Sequence, residues 1–187
     1  MPDDIRILLQ ERPCALIGYP EPWDSGSVAV VIAQRSRFDL QPATVVTWNP
    51  TTATKTLTDS SFPKDGITVK SYNSGHDLLS LSRNLIVFDS LKELTMLTGR
   101  SEKGEVNYGV NILPDLIKRS NVVIVLISSG VTKEELSTVR SQVPGAYFMW
   151  STFLERPHHL QFCLHECDMT PGQDLIYSVT RKKELAS

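Results

Sequence analysis

A series of short, β-branched apolar runs, separated by polar or helix-patterned stretches, constrains this chain more than any other feature. The runs occupy residues 14–18, 43–48, 67–72, 84–89, 121–127, 146–150 and 160–165, and Asn121-Val-Val-Ile-Val-Leu-Ile127 is the most apolar of them. A sheet wetted on one side would alternate apolar with polar residues. Near-continuous apolar runs are the pattern of parallel strands covered on both faces. Helical patterns fit between them. Residues 27–35 carry Val28, Val31 and Ile32 at helical spacing, 77–82 makes at most a short helix, and 109–119 puts Val110, Leu113 and Ile117 on one face with Pro114 as an irregularity. Thr132-Lys-Glu-Glu135 is a capping box, and Thr170-Pro171 opens a C-terminal helix within 168–187. The pattern predicts an α/β fold: a three-layer, mostly parallel, doubly wound sheet with right-handed crossovers. At 187 residues the chain accommodates one such domain over 1–187 and not two large ones. Residues 51–64 and 98–108 read as the flexible segments.

Charge and cysteine usage narrow the function classes. Nineteen Lys and Arg against 21 Asp and Glu leave a formal charge of −2, so the molecule as a whole has no pull on a phosphate backbone or an anionic membrane. Cys14, Cys163 and Cys167 are too few for a disulfide framework, and a reducing compartment is expected. No apolar run approaches the ~20 residues that span a bilayer, and Met1-Pro2-Asp3-Asp4 is no signal-peptide start. An intracellular protein, or one packed in an assembly, is the expectation.

Ligands of an open parallel sheet sit beyond the carboxyl ends of its strands. After the first run comes 18–28, where a phosphate-binding loop would supply glycines, a lysine and a hydroxyl. No lysine occurs before Lys55, Pro20 and Pro22 lack amide donors, and Asp24 would set a negative charge beside a triphosphate. Ser25-Gly26-Ser27 could hold an anion at a helix N-terminus, although a glycine turn with a serine cap is the commoner meaning. The fourth run ends in Asp89-Ser90 and the fifth in Ser128-Ser129-Gly130.

In order and rough spacing these segments resemble the first RecA-like lobe of superfamily-2 helicases. Thr44-Val-Val-Thr-Trp-Asn-Pro50 is similar to the element after which those enzymes grip nucleic acid. Met169-Thr-Pro-Gly-Gln-Asp-Leu-Ile-Tyr177 resembles a segment following the first lobe in Swi/Snf-type and large-DNA-virus helicases. The resemblance implies that Asp89 stands at the magnesium-side aspartate, that Ser90 replaces the glutamate acting as general base, and that Ser128 keeps the first hydroxyl of a Ser-Ala-Thr motif. Ser25, Gly26, Ser27, Asp89, Ser90 and Ser128 are thus degenerate nucleotide-site positions. With phosphate-loop lysine and glutamate missing, and no room for a second lobe, catalytic residues, cofactor and metal are expected to be absent.

Other constellations have plainer readings. His158, His159, Cys163, His165 and Cys167 suggest zinc, but on a strand alternate residues lie ~7 Å apart, too far for 163 and 167 to share one ion. No Gly-x-Ser-x-Gly elbow supports Ser129 or Cys163 as a nucleophile. Arg181-Lys182-Lys183 suits the last turn of a helix as well as a phosphate contact. Tyr147, Phe148, Trp150 and Phe153 exceed what one sheet face buries: either both faces are covered or one is an interface for another chain. The reading is a non-catalytic structural or scaffolding protein whose partners are other proteins in a larger assembly, with a minor virion component as one setting. The alternatives are a nucleotide-dependent or nucleic-acid-remodelling subunit completed by a partner chain, and an unrelated small hydrolase or transferase.

Overall fold

The computed structural model describes residues 9–19, 24–128, 131–156 and 159–166. In chain order the elements are β1 (Cys14–Gly18), α1 (Ser25–Ser36), β2 (Ala43–Val46), α2 (Pro50–Asp59), β3 (Ile67–Lys70), α3 (Gly75–Leu78), β4 (Leu85–Phe88) and α4 (Leu91–Leu94). A hairpin of β5 (Thr98–Ser101) and β6 (Gly104–Asn107) follows. A 3-10 turn (Gly109–Asn111) then leads into α5 (Ile112–Lys118), and β7 (Val122–Ile127), α6 (Lys133–Gln142), β8 (Tyr147–Arg156) and β9 (His159–Glu166) are the last elements among the described residues.

Seven strands form one sheet in the order β3-β2-β4-β7-β1-β8-β9. The first six are parallel, and β9 runs antiparallel to β8 at the edge. Strand parity divides the core in two. Ala15, Ile17, Val45, Val87 and Ile124 face α1 and α2. Leu16, Ile86, Phe88, Val123 and Val125 face α3 to α6. Central strands therefore bury every residue, which is why they read as unbroken apolar runs.

The two segments expected to be flexible are ordered elements. Residues 50–59 form α2: the Asn49 side chain accepts the Thr52 N–H, Pro50 occupies the first turn, and Ala53 is buried. Its threonines have weak helix propensity, so packing against α1 and not local preference makes this helix. Residues 98–107 form the hairpin, turned at Gly104 with φ +116°. The capping box at Thr132 and Glu135 is present. Pro114 lies in the first turn of α5, where its missing N–H leaves no helical bond unmade.

Of the two alternatives for the aromatic run, both faces of β8 are covered at Tyr147 and Phe148. Tyr147 is buried on the α1 side under the Arg12 guanidinium, and Phe148 on the α6 side under Arg140. The side chains of Trp150 and Phe153, and the helix expected within 168–187, lie outside the described residues. Among the described residues no helix is long and apolar enough to cross a membrane.

Asn121 holds the amino-end side of the sheet. Its Oδ1 accepts the Asn84 N–H at 3.0 Å, and its Nδ2 donates to the carbonyls of Leu81 and Leu116, each at 2.9 Å. Asn121→Ala, at a 1% exposed position, would orphan the Asn84 N–H and the Leu81 carbonyl, while the Leu116 carbonyl keeps the Arg119 N–H. A loss of about 2 kcal/mol in urea unfolding is expected.

Candidate functional site

The chain leaves β1 and β2 toward the β3 edge and leaves β4 and β7 toward the β8 edge. Crevices consequently open at the carboxyl ends between β2 and β4 and between β7 and β1. Asp89 follows β4 at the first of these and is fully buried. Its N–H donates to the Val46 carbonyl at 3.0 Å, carrying the β2–β4 ladder one residue further. One carboxylate oxygen, Oδ2, accepts from the Ser25 hydroxyl at 3.1 Å and from Thr47 Oγ1 at 2.7 Å; the other accepts from the Tyr72 hydroxyl at 2.8 Å. The Trp48 backbone N–H also bonds to this carboxylate.

Every one of these donors is neutral. Burial pushes the Asp89 carboxyl above the usual carboxylate range, and the hydrogen bonds from Thr47, Tyr72, Ser25 and Trp48 offset part of that rise. Burial likewise raises the Tyr72 phenol, helped by the neighbouring Asp89, so it stays a donor. The outer ring of bonds is also complete. Trp48 Nε1 donates to Ser25 Oγ at 3.0 Å, the Asn49 N–H donates to Thr47 Oγ1 at 3.0 Å, and the Ser90 N–H donates to the Tyr72 hydroxyl at 3.0 Å.

The N-terminus of α1 is closed by the chain itself. Asp24 Oδ2 accepts the Ser27 N–H at 2.9 Å and the Ser27 hydroxyl at 3.0 Å. Ser27 Oγ lies 2.8 Å from Thr56 Oγ1 on α2. Gly26 lets the helix come close to β2: a Cβ there would meet Thr47 Oγ1 at 3.1 Å. The carboxylate cap takes the Ser27 amide and sets a negative charge at the positive helix end that would otherwise attract an anion.

The Ser25–Asp89 bond fixes a register that composition alone leaves open. In phosphate-loop enzymes the loop hydroxyl and this aspartate hold magnesium together. Laying the Gly-x-x-x-x-Gly-Lys-Ser/Thr spacing on this chain with Ser25 at the hydroxyl puts Gly18 at the first glycine, Trp23 at the second and Asp24 at the lysine. A cation seated between Ser25 and Asp89 would have to displace the Ser25 and Thr47 hydroxyls from the carboxylate.

Of the six positions marked in the sequence, the structure brings Ser25 and Asp89 into direct contact. Gly26 supports their approach, and Ser27 faces Asp24 and Thr56. Ser90 caps α4 through its hydroxyl, which accepts the Glu93 N–H at 3.2 Å. Ser128 ends β7, its carbonyl accepting the Val131 N–H at 3.2 Å, and it is not one of the groups bonded to Asp89. Sequence reasoning misses Thr47, Trp48 and Tyr72, whose signal is their place just beyond the ends of β2 and β3. Cys163 and His165 lie on the continuous strand β9, paired with Thr152 and Trp150. His158, Cys167, Ser129, Gly130 and Arg181 to Lys183 fall outside the described residues, among which no cluster of three His, Cys, Asp or Glu side chains could hold a metal. Cys14 is buried, its thiol pushed up to about 12 and so unreactive at neutral pH.

No protein-family model matches this chain, and no curated protein does. Twenty-nine chains of solved structures are similar to it. One is the flagellar accessory protein FlaH from Methanocaldococcus jannaschii, 11% identical with a TM-score of 0.52, covering 89% of this chain and 84% of that one. At that identity the likeness is one of fold, and the fold is a RecA-like lobe.

Because the Asp89 carboxyl is raised, the native state keeps its proton to higher pH than the unfolded chain, where an aspartate loses it near ~3.9. Its contribution to stability is complete below that pH and is lost as pH rises through the native value. Urea unfolding of the wild type and Asp89→Asn from pH 3.5 to 7 is expected to show the wild type losing ground to the variant as pH rises. The loss amounts to about 1.4 kcal/mol for every tenfold by which the native carboxylate holds its proton more tightly than the unfolded one.

Proposed function

We propose that this RecA-like lobe is a non-catalytic structural or scaffolding protein, its former nucleotide site converted into internal architecture and its surfaces given to protein partners. The observation that carries the proposal is Asp24. At the position that the motif spacing gives the phosphate-loop lysine it brings a negative charge, and its carboxylate already takes the Ser27 amide and hydroxyl at the start of α1. Phosphoryl transfer depends on positive charge placed against the developing negative charge, so the exchange removes the largest catalytic contribution and adds repulsion. Ser90 supports the same reading. It stands where a glutamate would activate water, and its hydroxyl is committed to the α4 cap.

The likeness of the motif order to large-DNA-virus helicases extends the proposal to a setting, a minor structural component of a virion. The near-neutral composition suits packing among proteins better than tracking a phosphate backbone.

Thermal unfolding with and without millimolar Mg·ATP tests the proposal. A site with the ligand at one hundred times its Kd would gain about 2.7 kcal/mol, several degrees in Tm for a chain of this size. No shift is expected. A clear shift would overturn the non-catalytic reading in favour of a nucleotide-dependent subunit. Asp24→Ala should lower stability by about 1 kcal/mol through loss of the helix cap, again without a nucleotide-dependent shift.

A further inference from the structure

An open groove lies beside the Asp89 cluster at the carboxyl ends of β2 and β3, walled by Trp48, Ser71, Tyr72, Asn73, Glu93 and Met96. Trp48 is 57% exposed and Met96 51%, an unusual exposure for side chains of this kind. Neither backbone is loose. The Trp48 indole is pinned through Nε1 to Ser25, its own backbone N–H bonds to Asp89, and the Met96 N–H donates to the Glu93 carbonyl at 3.0 Å. The aromatic wall is therefore set before any ligand arrives, which lowers the ordering cost of binding.

The charge of the groove is one-sided. Glu93 is the charged residue in its lining, which includes no lysine or arginine, and it forms no ion pair with any described residue. Lys70 at the end of β3 is engaged with Asp77 at 3.7 Å. Beneath the floor, Thr47 and Tyr72 connect to the buried Asp89. An indole, a thioether and a free carboxylate together suit a cation on an aliphatic stem: the stem lies on Trp48 and Met96 while the head meets Glu93. A phosphate backbone would meet a carboxylate and no cation there.

We infer that this groove receives a lysine or arginine side chain carried by a segment of a protein partner. The choice of a protein partner rests on the non-catalytic reading above, and the inference adds the chemistry of recognition to it.

The test is an NMR titration of the full chain, following the Trp48 indole N–H and the Met96 methyl. The probes are the capped hexapeptide Gly-Ser-Arg-Gly-Ser-Gly, the same peptide with Glu for Arg, and a twelve-residue oligothymidylate. The arginine peptide is expected to shift both signals saturably. Glu93→Gln should weaken it about threefold and Trp48→Leu about fivefold or more, while Glu134→Gln on α6 changes nothing. The glutamate peptide and the oligothymidylate should leave both signals in place. Thermal unfolding confirms that each variant is folded. Absence of a saturable shift, equal effects of Glu93→Gln and Glu134→Gln, or displacement of the peptide by oligothymidylate would overturn the inference. Mg·ATP added to the same sample reports separately, at the Ser27 amide: a response there contradicts the non-catalytic reading, whatever the peptide does.

Discussion

A carboxylate buried without a cation is the constraint around which the carboxyl edge of this sheet is built. An isolated ionised group in such a place would cost far more than the whole fold is worth, so it must be surrounded by donors or take up a proton. Asp89 has both recourses. Its donors come from three separate elements, Ser25 from α1, Thr47 and Trp48 from the end of β2, and Tyr72 from beyond β3. The cluster therefore fixes where α1 begins, how closely it approaches β2, and how the β3 end folds back toward β4. Losing Tyr72 would strip Oδ1 of its side-chain donor, whereas Oδ2 is shared by Ser25 and Thr47. That requirement does not involve catalysis, and it gives a physical reason for this arrangement at the carboxyl ends of the strands.

The same geometry gives the α1 N-terminus its meaning. A RecA-like lobe places a helix start beneath the loop that follows its first strand. Here the Ser27 amide of that start is held by the Asp24 carboxylate, and the Ser27 hydroxyl is shared between Asp24 and Thr56. The helix start and Asp89 thus both draw hydrogen bonds from within the protein. What remains open is next to them, on the Trp48 and Met96 side, where rigid exposed apolar groups border an acidic one.

Much of the fold was legible because burial on both faces writes itself into consecutive residues. Cys14–Gly18, Leu85–Phe88 and Val122–Ile127 are strands whose neighbours cover them above and below, and their shortness and β-branched content separate them from buried helices. The α6 start was legible because a capping box is local chemistry. By contrast α2 was hidden: its threonines argue against a helix, and Ala53 against α1 overrides them only in the folded chain. Tyr147 and Phe148 could not be assigned to a core or an interface because alternation sends them to opposite faces whichever is true. At the site, Ser25 and Asp89 stood out by position in the sequence. Thr47 and Tyr72 did not, since their partner Asp89 is 42 and 17 residues away, and only the strand order β3-β2-β4 brings them together.

Under the proposed reading, Asp24 at the Ser27 amide and neutral donors on Asp89 occupy what would be a nucleotide site. A crystal structure determined from protein equilibrated with millimolar Mg·ADP tests it most directly. The expected result is Asp24 still within hydrogen-bonding distance of the Ser27 amide, with Ser25, Thr47 and Tyr72 still on Asp89. Density for a diphosphate at the start of α1, with Asp24 swung away and a metal ion between Ser25 and Asp89, would contradict it.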